Sequence, residues 1–205
     1  MIVNRTINGG TKRYIEYLES DWDRTDAVTS AFFVDSGLSY SGDSTTTLSH
    51  LEHLEGQTVS ILADGATHPD KTVSSGGITL DRACTTAQVG LAYSSTLQTM
   101  RLEAGAGDGT AQGKTKRFTN VVIRLDQTGS GLLYGPNDTD ADMDELHLRD
   151  SYNPMDTALP LFDGDTEVLS WPEGYEQIGR LTLKHTLPLP CTITAIMPQV
   201  VTQDR

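Results

Sequence analysis

Two cysteines in 205 residues, Cys84 and Cys191, are too few for a disulfide framework or a thiolate zinc site. Such sparing use fits a chain made in a reducing cytosol. Long apolar runs are missing as well. No stretch approaches the ~18–20 residues of a membrane helix, and Met1–Gly10 lacks the apolar centre of a signal peptide. No membrane segment is expected. Positive charge is scarce, with 15 Lys and Arg against 28 Asp and Glu, a net −13 at pH 7. That argues against tight binding to nucleic-acid phosphates, because such affinity comes from cations displacing counterions. It does not exclude a surface that lies beside nucleic acid and repels it. Apolar residues reach only 37%, below the ~45–50% of an average domain. Thr, Ser, Gly and Asp take their place, a composition of strands and turns.

What is present reads as short β runs separated by turns. Arg13–Leu18 alternates polar and apolar residues, as a half-buried strand does. Asp35–Thr47 is turn-rich and reads as a loop. Thr58–Ala63, Asp64-Gly65 and Ala66–Val73 spell a hairpin with a tight turn, and Pro69 marks the returning arm as an edge strand or a longer loop. Gly76–Leu80 and Gln88–Tyr93 read as two further strands. Leu97–Leu102 leads to a glycine-rich loop at Ala104–Gly113, and strands are expected at the β-branched end of Lys114–Leu125 and in Leu132–Tyr134, Thr166–Trp171, Gly179–His185 and Thr192–Val200. The expected fold is all-β with few or no helices. Its parts are a lead-in over residues 1–34, a small β-barrel over 35–95 and a β-sandwich-like domain over 96–205.

Several chemical motifs are incomplete. Gly107–Thr115 approaches a phosphate loop, but the position of its first glycine is Asp108, and the sequence that follows is β-branched where a helix is required. Asp138, Asp140, Asp142 and Asp144 alternate like a calcium loop. Counted from Asp138, position six is Met143 and position twelve is Arg149, where Gly and Glu belong. A solvated acidic loop is the reading adopted, with a loose calcium site as the alternative. His50 and His53 have a metal-like spacing without a third ligand, and His68, His147 and His185 are scattered. No Gly-x-Ser-x-Gly elbow occurs. Trp171 with Tyr175 could form a sugar-stacking platform or a buried anchor beside a turn. No catalytic, cofactor or metal residue is expected, and no enzyme.

Taken together, Phe32–Asp81, Gln88–Glu103, Gly109–Arg117 and Leu187–Val201 resemble tail-tube or tail-nozzle proteins of short-tailed phages and prophages. The strongest marks are His53–Gly65 (HLEGQTVSILADG), Thr79–Asp81 (TLD) and Thr110–Arg117 (TAQGKTKR). In such proteins the first of these regions is similar to the small barrel of the first catalytic-cysteine half-domain of ubiquitin-activating enzymes, a likeness of fold alone. Members are usually longer, with this region as their C-terminal part. The resemblance implies a virion tail component: a ring of copies, most often sixfold, that contacts other tail and adaptor proteins and lets DNA pass without binding it tightly. The alternative is a host-surface module that binds a glycan or receptor at the tail tip through Trp171 and Tyr175. As contacts between subunits, the basic residues Lys114, Lys116 and Arg117 are expected to meet Asp138, Asp140 and Asp142 of a neighbouring copy.

Overall fold

The computed structural model describes residues 1–103, 110–155, 157–172 and 174–203. Strands make up 52% of the chain and no helix reaches seven residues, so the class is all-β. No described helix is long and apolar enough to cross a membrane. The chain divides into two compact units: Met1–Tyr93 with Ser151–Leu159 and Leu187–Pro190, and Ser94–Asp150 with Pro160–Thr186 and Cys191–Arg205. The chain first crosses between them at Tyr93 and Ser94, and it crosses again four times.

The first unit begins with a hairpin, β1 (Ile2–Ile7) and β2 (Gly10–Ile15), paired from Ile2↔Ile15 to Ile7↔Gly10. Asn8 and Gly9 form its turn with φ of 49° and 74°. A tight hairpin turn needs positive φ at both residues, which Asn tolerates and Gly adopts without strain. The expected lead-in over 1–34 thus folds with this unit. Ile7 lies in its core with Tyr14 packed against it, and Arg5 bridges Glu16 at 3.0 Å and Asp35 at 3.7 Å.

The main sheet of this unit contains β3 (Asp35–Leu48), β4 (Thr58–Ala63), β5 (Ala66–Thr72) and β6 (Ile78–Leu91), ordered β3-β6-β4-β5. β5 is an edge strand, as Pro69 requires. Two sequence expectations change here. Asp35–Thr47 is not a loop but a strand paired with β6 through several register shifts, and the runs at 76–80 and 88–93 are parts of one 14-residue strand. Main-chain pairing overrides low strand propensity along β3, whose polar side chains mostly face solvent. Side chains also link β5 to the first half of β6, which it does not pair with. The buried ring of His68 on β5 accepts the Asp81 N–H of β6 at Nε2 (2.9 Å), and Lys71 donates to the Asp81 carboxylate at 2.6 Å. Leu54, Val59, Ile61, Ala63, Ala87 and Val89 fill the interior.

The second unit holds two sheets. One contains β7 (Ser95–Gln98), β9 (Leu132–Gly135), β10 (Asp144–Glu145) and β13 (Thr182–His185), ordered β10-β9-β13-β7. The other is built on β8 (Thr115–Thr128). Along one edge β8 pairs with β14 (Thr192–Gln203), and along the other with β11 (Phe162–Asp165) and β12 (Leu169–Ser170). Phe118, Val121, Ile123 and Leu125 of β8 share one core with Leu132, Tyr134 and Leu183 of the facing sheet and with Leu181 just before β13. That is the layering of a sandwich.

Candidate functional site

The residues expected to join neighbouring copies lie in the second unit, and the structure treats the basic and acidic members differently. Lys114 is half-buried at the turn that precedes β8, where its N–H donates to Ala111 O at 3.3 Å and Gly113 adopts φ 79°. β8 alternates faces from there, so Lys116 points inward with Phe118 while Arg117 points out. Lys116 is only 1% exposed. Its backbone exchanges two hydrogen bonds with Glu176 (2.6 and 2.8 Å), its stem lies against Gly179, and Nζ donates to Gln177 O at 3.5 Å. Lys116 is therefore a wall of its own unit and not a surface cation. Arg117 is exposed, its guanidinium 5.9 Å from the centre of the Tyr175 ring, a cation–π distance. The three residues do not make one patch, a result that the period of two in a strand already contains.

The acidic residues remain outside. Asp138, Asp140, Asp142, Asp144 and Glu145 are all exposed, and the loop that carries them is well tied. Asn137 accepts the Thr139 N–H at 2.7 Å and donates to Asp142 at 2.9 Å. Lys184 of β13 donates to Asp140 Oδ1 at 2.5 Å and to Asp138 O at 3.5 Å. Met143, the residue at the glycine position of a calcium loop, is buried. Among the described residues no group of three His, Cys, Asp or Glu is placed to hold a metal. His53 of the H-x-x-H pair is bonded through Nε2 to Ser36 O at 2.7 Å. The phosphate-loop resemblance lies partly outside the described residues, Asp108 included; its described end runs into β8 and not into a helix.

Trp171 is 5% exposed and packs edge-on to Phe118 and against Tyr134. It is a core anchor, so the stacking platform loses its larger ring. Its Nε1 is buried without an acceptor, as is Arg180 Nε.

The segments that carry the phage resemblance are occupied with architecture. In His53–Gly65, His53 O accepts the Tyr14 hydroxyl at 2.9 Å and Leu54 is fully buried. Glu55 accepts the Ser75 and Gly76 N–H groups at 2.9 and 2.8 Å, holding the turn before β6. Asp64 ties its hairpin turn to β6 by accepting from the N–H and hydroxyl groups of both Thr85 and Thr86 at about 3 Å. Burial pushes the Asp64 carboxyl up, but these four donors outweigh it and hold the group below its ordinary range. None of Glu55, His68 or Asp64 stood out in the sequence as a structural clamp, because each grips main chain more than ten residues away. No family model matches this chain, and no curated protein matches it.

Proposed function

We propose that this chain is a structural subunit of a phage tail, a nozzle or tube component that forms, with copies of itself, part of a ring-shaped conduit for DNA ejection. The observation that carries the reading is the acidic surface. A chain of net charge −13 carries an excess of exposed carboxylates; five of them stand between Asp138 and Glu145, a segment held by Lys184 and Asn137, and the excess is far larger than these five. A conduit must not hold what it conducts, and a wall of one sign repels phosphates within a Debye length. The tied β framework supports a passive wall, and the phage resemblance supports the tail. Other tail and adaptor proteins are its partners, DNA passes without tight binding, and the virion is its location. The reading of a host-surface module is not favoured, since Trp171 is inside the core. The test is composition and place. Gold-labelled antibody against this chain should decorate the tails of purified particles; particles that lack the chain would reject the assignment.

A further inference from the structure

The β1–β2 hairpin has one face in the core and one that no described residue covers. Ile7 is buried and Tyr14 packs beside it. On the other face Ile2 and Ile15, directly paired across the strands, are 72% and 88% exposed. The strip continues through Tyr17 and Leu18, at 82% and 81%. Clustered exposed apolar side chains of this size mark contact surfaces. Charge identifies the occupant. Residues 1–15 contain Arg5, Lys12 and Arg13 and no carboxylate side chain, +3 within a chain of −13, which leaves −16 on the rest. Arg5 is engaged by Glu16 and Asp35. Lys12 is paired with Arg5 across the strands and shares its face, while Arg13 is on the Ile2–Ile15 face and donates Nε–H to Asn4 Oδ1 at 3.2 Å; both cations are exposed.

We propose that this hairpin face is a docking surface for a second copy of the same chain. The apolar strip Ile2, Ile15, Tyr17, Leu18 packs on the neighbour with Arg13 on the same face, and the exposed Lys12 reaches the neighbour's carboxylates from the edge of the hairpin, with the exposed residues from Asp138 to Glu145 the densest target. Duplex DNA is a poorer match, because two exposed cations on a chain of this net charge cannot offset the repulsion. The contact joins two different surfaces, so it is head-to-tail and generates a closed ring or a filament. It rests on the proposed self-assembly and not on the tail location. It also moves the basic half of the contact from Lys114, Lys116 and Arg117 to the hairpin.

Sedimentation velocity of the full chain over a concentration series tests it. The wild type should associate in a concentration-dependent way. Lys12→Glu/Arg13→Glu and Ile15→Ser/Leu18→Ser should each weaken association about tenfold or more with melting unchanged, since all four side chains are exposed. Mixing Lys12→Glu/Arg13→Glu with Asp138→Lys/Asp144→Lys should restore association that neither double variant shows alone. A wild type that stays monomeric, or variants that associate as tightly as it does, overturns the proposal. So does a monomer that instead binds duplex DNA or anionic vesicles through Lys12 and Arg13. Association through the hairpin by a chain absent from tails would reject the tail assignment and leave this inference standing.

Discussion

Lys116 and Asp64 show how single side chains serve opposite ends from those their types suggest. A lysine with almost no exposure and one long hydrogen bond contributes chiefly through its stem, which packs on Gly179. Lys116→Met should keep that packing and remove a poorly solvated ammonium, so stability stays level or rises by up to about 2 kcal/mol. Urea unfolding reads it, and a loss beyond about 1 kcal/mol would show the ammonium to be needed. Lys116→Glu should fail to fold, so charge reversal there reports on folding and not on assembly. Asp64 is exposed at a hairpin tip yet accepts four hydrogen bonds from Thr85 and Thr86. Asp64→Ala should cost about 1–3 kcal/mol, the range for bonds to a charged acceptor.

Titration separates two further residue-scale contributions. Burial pushes His185 below its ordinary value of 6.5, against the smaller raising effect of its bond to Ser130 O. The unfolded chain then binds a proton that the folded chain refuses. The contribution is fully present above pH 6.5 and is lost as pH falls toward the lower folded value. Asp64, held below its ordinary 3.8, loses its contribution only in more acid solution. Unfolding free energy measured from pH 8 to 3 should therefore decline in two stages, with the upper stage absent in His185→Gln. A single decline confined to the carboxylate range would contradict the assignment.

At the scale of elements, the legible parts were those whose signal is local. Thr58–Ala63 and the Asp64-Gly65 turn read directly as a hairpin, because turn chemistry and β-branched residues agree there. β3 was hidden because DSGLSYSGDSTTT has the composition of a loop. Its strand state comes from β6, a partner more than thirty residues later. The β1–β2 hairpin is legible in Asn8-Gly9, whereas the alternation at Arg13–Leu18 points to a strand that in fact spans Gly10–Ile15. The acidic loop was visible by composition, while its support from Lys184 depends on β13 lying beside β9. The strand period separates the basic residues of β8, turning Lys116 inward and Arg117 outward.

Two glycines make the close approach of β3 and β6. A Cβ on Gly90 would lie 2.7 Å from Asp35 O and 2.8 Å from Gly37 Cα, both backbone atoms that cannot rotate away. Gly90→Ala should force the strands apart and cost about 1–3 kcal/mol, as overpacking does, with a drop in melting temperature as the readout. If Gly90→Ala melts like the wild type, β3 is not held where described. β14 offers the opposite case. It runs along β8 on one side and pairs with no described strand on the other. Pro198 and two register shifts interrupt it, which blunts that edge against indiscriminate strand addition.

At the scale of the whole molecule, net charge and assembly meet. Copies of a chain at −13 repel one another, so any ring must place its opposite charges at the contacts and leave the excess carboxylates to solvent or to a lumen. In the proposed ring the hairpin and part of the acidic segment make the contacts, and the carboxylates left over from −13 per copy face the lumen. Electron microscopy of the assembled chain at subunit resolution tests that division most directly. The account predicts a closed ring, sixfold by the phage resemblance, with hairpins at the contacts and a lumen rich in Asp and Glu. A lumen lined by Lys and Arg, or a chain that forms no ring, would contradict it.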